Sequence, residues 1–142
     1  MPNCIHPITL EAATEVASSL SPDDYREVTE GYGLQTQDVI DGSLTEDSYY
    51  FESPNGKIAA IGGVEKDGLI WMLCTPLVEQ YSFSFVRACK QMLNSRNEPL
   101  LWNIVDKRNT VHLKLLKFLG FKFEKEISYG PNNLPFIKFY KC

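Results

Sequence analysis

Apolar residues near the N-terminus recur at the spacing of an amphipathic helix. A short apolar start at Cys4 and Ile5 predicts a strand, and Thr9 then has the side chain of an N-cap. The apolar positions that follow lie three or four residues apart, which predicts a helix that ends near Leu20. Its inward stripe is expected to consist of Leu10, Ala13, Val16 and Leu20.

A second helix is predicted to open at the run Ser21-Pro22-Asp23-Asp24. Serine is a preferred N-cap, proline suits the first helical position, and two carboxylates there face the positive end of the helix dipole. Gly31 and Gly33 end this segment, and residues 36–44 are expected to form a further short helix.

From Tyr49 onward the pattern is that of a β-meander. Residues 48–53, 57–65 and 69–75 are predicted to form consecutive strands. Asn55-Gly56 and Asp67-Gly68 separate them, and both dipeptides are strong hairpin signals because they tolerate positive φ.

The second half of the chain alternates helices and strands. The predicted elements are a helix ending near Asn94, a strand over 100–105, a helix between Asn109 and Gly120, and strands over 121–127 and 136–141. The first of these helices has an expected apolar face of Phe83, Val86, Cys89, Met92 and Leu93. The second directs Leu113, Leu116 and Leu119 inward.

The order of these elements predicts a mixed α+β fold. Helices that lie between strands of one sheet are expected to cover both of its faces. We therefore predict a single domain over residues 1–142, with a mixed, mostly antiparallel sheet of about six or seven strands flanked by about four helices.

Charge is distributed unevenly along the chain. The net charge is −4, but residues 1–71 hold 3 basic against 13 acidic side chains, whereas residues 72–142 hold 11 against 5. This asymmetry argues against a uniformly basic nucleic-acid binder. No apolar run reaches the roughly 18 residues of a membrane span, and no secretory signal is visible. We expect neither a nucleic-acid nor a membrane partner.

The cysteines do not form a metal-binding or redox motif. Cys4, Cys74, Cys89 and Cys142 include no C-x-x-C pair, so a zinc site is unsupported and no metal is expected. We interpret all of them as free thiols, with Cys89 in the core and Cys74 buried and inert.

The segment from Asn109 to Phe121, together with the meander and helix before it, resembles the GNAT (Gcn5-related N-acetyltransferase) superfamily. Those proteins carry N-x-x-A-x-x-L-Y-x-K-x-G-F between their fifth and sixth strands. Asn109, Leu115, Gly120 and Phe121 fall at matching positions. The resemblance implies the GNAT-like fold, with acetyl-CoA as acyl donor to an amine acceptor.

A narrower resemblance covers residues 57–142. This part is similar to the internal virion protein A group of short-tailed (podovirus) phages, itself GNAT-like. The matching residues are Ala59-Ala60-Ile61-Gly62-Gly63, Trp71, Leu101-Trp102-Asn103-Ile104-Val105, Arg108-Asn109-Thr110 and His112. It implies other phage structural proteins as partners and a location in the virion or the host cytoplasm.

The GNAT resemblance also implies where a cofactor would bind. Pantetheine needs a splay between the fourth and fifth strands, a backbone N–H of the fourth strand polarises the thioester carbonyl, and the pyrophosphate lies over the loop that opens the next helix. The implied cofactor-binding residues in this chain are Leu73, Cys74, Thr75, Ser82, Ser84 and Asn109.

Two departures from the family pattern put catalysis in doubt. The loop over residues 79–84 lacks the family's glycines, and Glu79 would repel phosphates, although Ser82 and Ser84 keep hydroxyl donors. Leu116 stands where many members have the tyrosine that protonates the leaving thiolate, and leucine cannot transfer a proton. The catalytic residues are therefore unassigned.

Other ionisable residues have plainer interpretations. Glu65 and Asp106 end strands and are interpreted as solvated, and His112 as a packing or locally bonded residue. A basic cluster could attract CoA phosphates, an acidic protein or DNA, or be the solvated face of a helix with its neighbouring strand ends. Its members are Lys107, Arg108, Lys114, Lys117, Lys122 and Lys125.

The sequence leaves three hypotheses about function open. The first is a catalytically degenerate GNAT-fold phage protein, serving as a virion-associated or assembly component. The second is an active acetyl-CoA-dependent N-acetyltransferase acting on a protein or a small amine. The third is a host-takeover binding protein on a GNAT scaffold. Fold alone does not decide among them.

Overall fold

The computed structural model describes residues 3–142, and within that range the strands form two antiparallel sheets. The first has the order β1-β2-β3-β4 and the second β5-β7-β6. The strands are β1 (Ile5–Pro7), β2 (Ser48–Glu52), β3 (Ile58–Val64), β4 (Ile70–Cys74), β5 (Leu101–Asp106), β6 (Lys122–Tyr129) and β7 (Leu134–Lys141).

The helices confirm the predicted mixed fold class and include two elements beyond the individually predicted segments. They are α1 (Leu10–Ala17), α2 (Pro22–Arg26), a π-helical segment (Glu27–Gly31), α3 (Thr36–Ser43), α4 (Leu77–Gln80), α5 (Ser82–Asn94) and α6 (Thr110–Phe118). The extra elements are the π-helical segment and the short α4, which follows Pro76 directly. No helix within residues 3–142 is long and apolar enough to cross a membrane.

The predicted meander is confirmed, with both turns where the dipeptides placed them. Gly56 has φ +81° and Gly68 has φ +86°, the left-handed region that favours glycine. A side chain at Gly68 would also collide with the carbonyl of Leu100, the residue before β5. Gly68 therefore allows the first sheet to approach the second.

Two predicted apolar stripes are wrong in part. Thr9 caps α1 as expected, accepting from the Ala12 N–H at 3.1 Å, but the helix ends at Ala17 and Leu10 is 62% exposed. In α5, Phe83 is 80% exposed. Both residues lie in the first turn of a helix, and α5 buries Phe85 instead of Phe83.

The sheets meet at one point and then diverge. An isolated parallel bridge joins Leu69, just before β4, to Trp102 in β5, and the two strands separate beyond it. On one face, α1, the π-helical segment and α3 pack around Leu73. On the other, α5 and α6 pack on a cluster that includes Leu101 and Val105. Beyond the bridge, β4 and β5 leave a gap between their facing edges, which we call the splay. The splay connects the two helix-covered faces.

Candidate active site

The strand register decides which backbone groups line the splay. The Thr75 N–H bonds the Ala59 carbonyl of β3 at 2.9 Å, so in an antiparallel ladder Leu73 also directs its N–H toward β3. Cys74 and Met72 alternate with them and direct their N–H groups toward β5. Of the amide donors implied by the resemblance, only Cys74 therefore faces the splay.

The Cys74 backbone is already hydrogen-bonded within the protein. Its N–H donates to Asp24 Oδ2 at 2.8 Å, and its carbonyl accepts from the Ser21 N–H at 2.8 Å. Asp24 was expected to face the helix dipole, and Ser21 was expected to cap α2 with its side chain. Instead Ser21 makes no side-chain cap bond, and Asp24 is buried against β4. Ser21 and Asp24, which lie before the π-helical segment, thus cover the edge of β4 that faces β5.

Side chains also bond the facing edge of β5. The Asp106 N–H donates to Glu27 Oε1 at 2.8 Å. The Ile104 N–H donates to Asn103 Oδ1 at 2.7 Å, while Asn103 Nδ2 donates to the Ile70 carbonyl of β4 at 2.7 Å. The carboxamide of Asn103 thus bridges the two strands much as a backbone peptide group would.

Asn109 joins these contacts into one cluster. Its Nδ2 donates to Asp24 Oδ1 at 2.8 Å and to Glu27 Oε1 at 3.4 Å. Its Oδ1 accepts from the His112 N–H at 3.2 Å, so it also caps α6. The splay cluster, as we call it, consists of Asp24, Glu27, Asn103 and Asn109.

Burial gives Glu27 an unusual protonation state. The pKa of its carboxyl is raised from 4.5 to about 8, first because the group is desolvated and further because Asp24 and Asp106 lie near. The hydrogen bonds from the Asp106 N–H and the Asn109 side chain oppose this rise. At neutral pH Glu27 is therefore mainly the neutral acid.

Asp106 differs from its predicted solvated state. It is 1% exposed, and Arg108 binds it through both its guanidinium and its backbone N–H. Burial alone would raise the pKa of Asp106, but the bonds from Arg108 outweigh it and the pKa is lowered. Arg108 also donates to Glu30 at 2.8 Å, which ties this strand end to the π-helical segment.

Neither His112 nor Cys74 is activated. Burial lowers the pKa of His112, with Asp24 partly opposing the change. Burial raises the pKa of the Cys74 thiol well above its usual value, and the Asp24 charge adds to this rise. Both groups are therefore neutral at pH 7, which agrees with Cys74 as an inert thiol.

A cavity of about 600 Å³ runs through the splay. Glu27, His112 and the aromatic rings of Trp71 and Trp102 line it, as does Leu116, at the position where a family tyrosine would stand. The lining is mainly apolar, but other ionisable side chains reach it as well, among them Asp38, Glu65 and Arg96.

Of the implied cofactor-binding residues, only Leu73 lines this cavity. Residues 77–80 form α4, a helical turn that takes the place of an open loop, and the exposed Glu79 lies on it. Ser82 is exposed at the start of α5, and Ser84 lines a different cavity of about 410 Å³ together with Arg87. The structure brings Cys74 and Asn109 together but not Ser82 or Ser84.

Sequence reasoning missed Asp24, Glu27 and Asn103. Asp24, Glu27, Val28 and Gly31 are all buried and follow the i, i+3, i+4, i+7 spacing of one helical face. Charged residues on such a face are a signal that could have been found, since buried carboxylates require partners. Asn103 offers no comparable signal, because one amide within an apolar strand is common.

Comparison with known proteins identifies the fold. No protein-family model matches the sequence, and no curated protein matches it. Among solved structures, a GNAT-family acetyltransferase from Bacillus anthracis superposes with a TM-score of 0.70 at 10% identity, covering 96% of this chain and 91% of that one. The chain has the GNAT fold.

Other GNAT-fold structures agree closely. A GNAT-family acetyltransferase from Bacillus cereus has a TM-score of 0.67 at 14% identity, covering 96% of this chain and 94% of that one. Spermidine N-acetyltransferase from Vibrio cholerae, in complex with CoA and spermine, has a TM-score of 0.64 at 9% identity, with 96% and 93% covered. At these identities the likeness establishes the GNAT fold alone.

Proposed function

We propose that this GNAT-fold chain is catalytically degenerate and serves as a virion-associated or assembly component of a short-tailed phage. The observation that carries the proposal is the splay cluster. Its side chains hydrogen-bond the facing edges of β4 and β5, the edges between which a GNAT enzyme would place the pantetheine of acetyl-CoA.

The residues present do not fit acetyl-CoA. The Cys74 N–H, the one implied donor that faces the splay, is bound to the Asp24 carboxylate at 2.8 Å. A thioester carbonyl would have to displace that carboxylate and leave it buried without this partner, at a cost of about 1–3 kcal/mol. In addition, α4 fills the place of the phosphate loop and carries Glu79, whose charge repels phosphate.

The phage role rests on the segments that resemble the internal virion protein A group, chiefly residues 59–63, 101–105 and 108–110. An assembly component acts through its surface and needs no turnover. The unequal charge of the two halves of the chain suits such docking.

Calorimetry with acetyl-CoA tests the degenerate site. We expect no binding heat from the wild-type protein, and none from Glu79→Arg, because the strand edges stay occupied in both. Saturable binding by the wild type with a micromolar Kd would overturn the proposal. Binding by Glu79→Arg alone would place the obstacle in α4 and contradict the argument from the splay cluster.

Mass spectrometry of purified particles tests the phage role. We expect the chain to be recovered from virions, or from their assembly intermediates, in a fixed ratio to the major structural proteins. Its absence from both would contradict an assembly role even if acetyl-CoA did not bind.

One observation favours the second candidate, an active N-acetyltransferase. Glu27 lines the cavity, and its pKa of about 8 lets the carboxyl give up or accept a proton near that pH, as acid–base catalysis requires. Thiol release from acetyl-CoA in the presence of amines, lost in Glu27→Gln, would support this candidate. No release above the uncatalysed rate would exclude it.

A further inference from the structure

The two helical layers carry opposite charge on opposite sides of the sheets. Leu73 contacts one layer and its neighbour Met72 contacts the other, because consecutive side chains of a strand lie on opposite faces of the sheet. The helices of the first layer (α1, α2, the π-helical segment and α3) hold Arg26 as their one basic residue beside their acids. The second layer (α5 and α6) contains no acidic residue.

The outer surface of α5 and α6 combines cations with exposed apolar groups. Phe83 is 80% exposed, Phe118 61% and Val111 55%. Lys90 Nζ lies 4.3 Å from the centroid of the Phe118 ring, so the two helices present one continuous surface. The basic face, as we call it, consists of Phe83, Arg87, Lys90, Val111, Lys114, Lys117 and Phe118.

The outer surface of α1 and α3 has the complementary composition. These helices contact each other, and their exposed positions are acidic, apolar or neutral polar, with no basic residue among them. Leu10 is 62% exposed at one end and Leu44 42% at the other. The acidic face, as we call it, consists of Leu10, Glu11, Glu15, Asp38, Asp41 and Leu44.

We propose that copies of this chain associate head to tail, with the basic face of one copy on the acidic face of the next. Each copy carries both halves of a charge-complementary contact, and both halves hold apolar groups that water now covers. Because the faces differ, the contact is heterologous, and because they lie on opposite sides of the sheets, successive copies stack in one direction. The association does not depend on whether the splay binds a cofactor.

Sedimentation velocity over a series of concentrations tests the association. In about 20 mM salt we expect the wild-type protein to form oligomers whose size grows with concentration. In about 500 mM salt the apparent Kd should rise at least about tenfold, because the screening length falls from roughly 20 Å to about 4 Å.

Charge reversal identifies the faces. Lys114→Glu/Lys117→Glu alone and Glu11→Lys/Glu15→Lys alone should each be monomeric in low salt, and an equimolar mixture of the two should associate again. Lys57→Glu/Lys66→Glu is the matched control, since it changes the net charge as much as the first variant but alters the meander turns. It should associate like the wild type, and circular dichroism should show all variants folded.

Three results would overturn the proposal. One is a wild-type protein that stays monomeric in low salt at the highest concentration. Another is a control variant that loses association as fully as the two face variants. The third is a monomer that instead sediments with vesicles rich in anionic lipid, which would assign the basic face to a membrane surface.

Discussion

The meander and the splay satisfy their backbone hydrogen bonds in different ways. In β2, β3 and β4 the partners lie on neighbouring strands close in sequence, joined by turns at Gly56 and Gly68. In the splay the partners are side chains from distant segments: Asp24 lies 50 residues from Cys74, and Glu27 lies 79 residues from Asp106. Single substitutions should therefore destabilise the splay more than the meander, because one side chain, such as Asp24, accepts hydrogen bonds from several groups.

Asp24→Ala is expected to destabilise the protein more than any other substitution proposed for the splay or the meander. It removes the acceptor of the part-buried Cys74 N–H and of the buried Asn109 Nδ2, and we expect a loss of about 4 kcal/mol in unfolding free energy. Urea unfolding followed by circular dichroism measures it. Asp23→Ala, which removes only a part-exposed pair with Arg26, is the control and should cost less than about 1 kcal/mol. Equal losses would contradict the role of Asp24.

Glu27 should make stability depend on pH. Its folded pKa of about 8 lies above the ordinary value of 4.5, so between these values the folded protein holds a proton that the unfolded chain has lost. Unfolding free energy therefore falls as the pH rises, by about 3 kcal/mol between pH 5 and pH 8. Glu27→Gln should lack this part of the decline. If the urea midpoints of the wild type and of Glu27→Gln fell in parallel between pH 5 and pH 8, this prediction would be wrong.

Asn103→Ala should have an intermediate effect. The substitution leaves the Ile104 N–H and the Ile70 carbonyl without their side-chain partner, and we expect a loss of about 2 kcal/mol. Amide hydrogen exchange should also accelerate at Ile104 more than at residues of the meander. An unchanged exchange rate at Ile104 would show that the Asn103 carboxamide does not protect this strand edge.

Gly56→Ala should have the smallest effect and tests the meander. The added Cβ meets no atom within 4 Å, so only the backbone φ of +81° opposes alanine, at about 1 kcal/mol. Gly42→Ala within α3 also meets nothing within 4 Å, and it should stabilise the protein by about 0.5–1 kcal/mol through helix propensity. A lower Tm for Gly56→Ala and a higher Tm for Gly42→Ala would confirm this contrast. A shift of both Tm values in the same direction would contradict it.

Local patterns predicted much of the fold and little of the site. The cap at Thr9 and the start of a helix at Asn109 were identified from the sequence, because both depend on residues within one helical turn. The outward positions of Leu10 and Phe83 were not, since apolar spacing does not tell which apolar residues of the first helical turn meet the core. For the site, Cys74 and Asn109 were expected near the splay, but their partners were not.

The sequence by itself determined the order of elements, the meander with its glycine turns, and the unequal charge of its two halves. All three depend on neighbouring residues or on composition. The tertiary structure alone decided that Asp24 and Glu27 hydrogen-bond the strand edges of the splay and that the charge difference lies on opposite faces. Those outcomes require segments far apart in the chain to meet, and no local pattern specifies which carboxylate will pair with which strand edge.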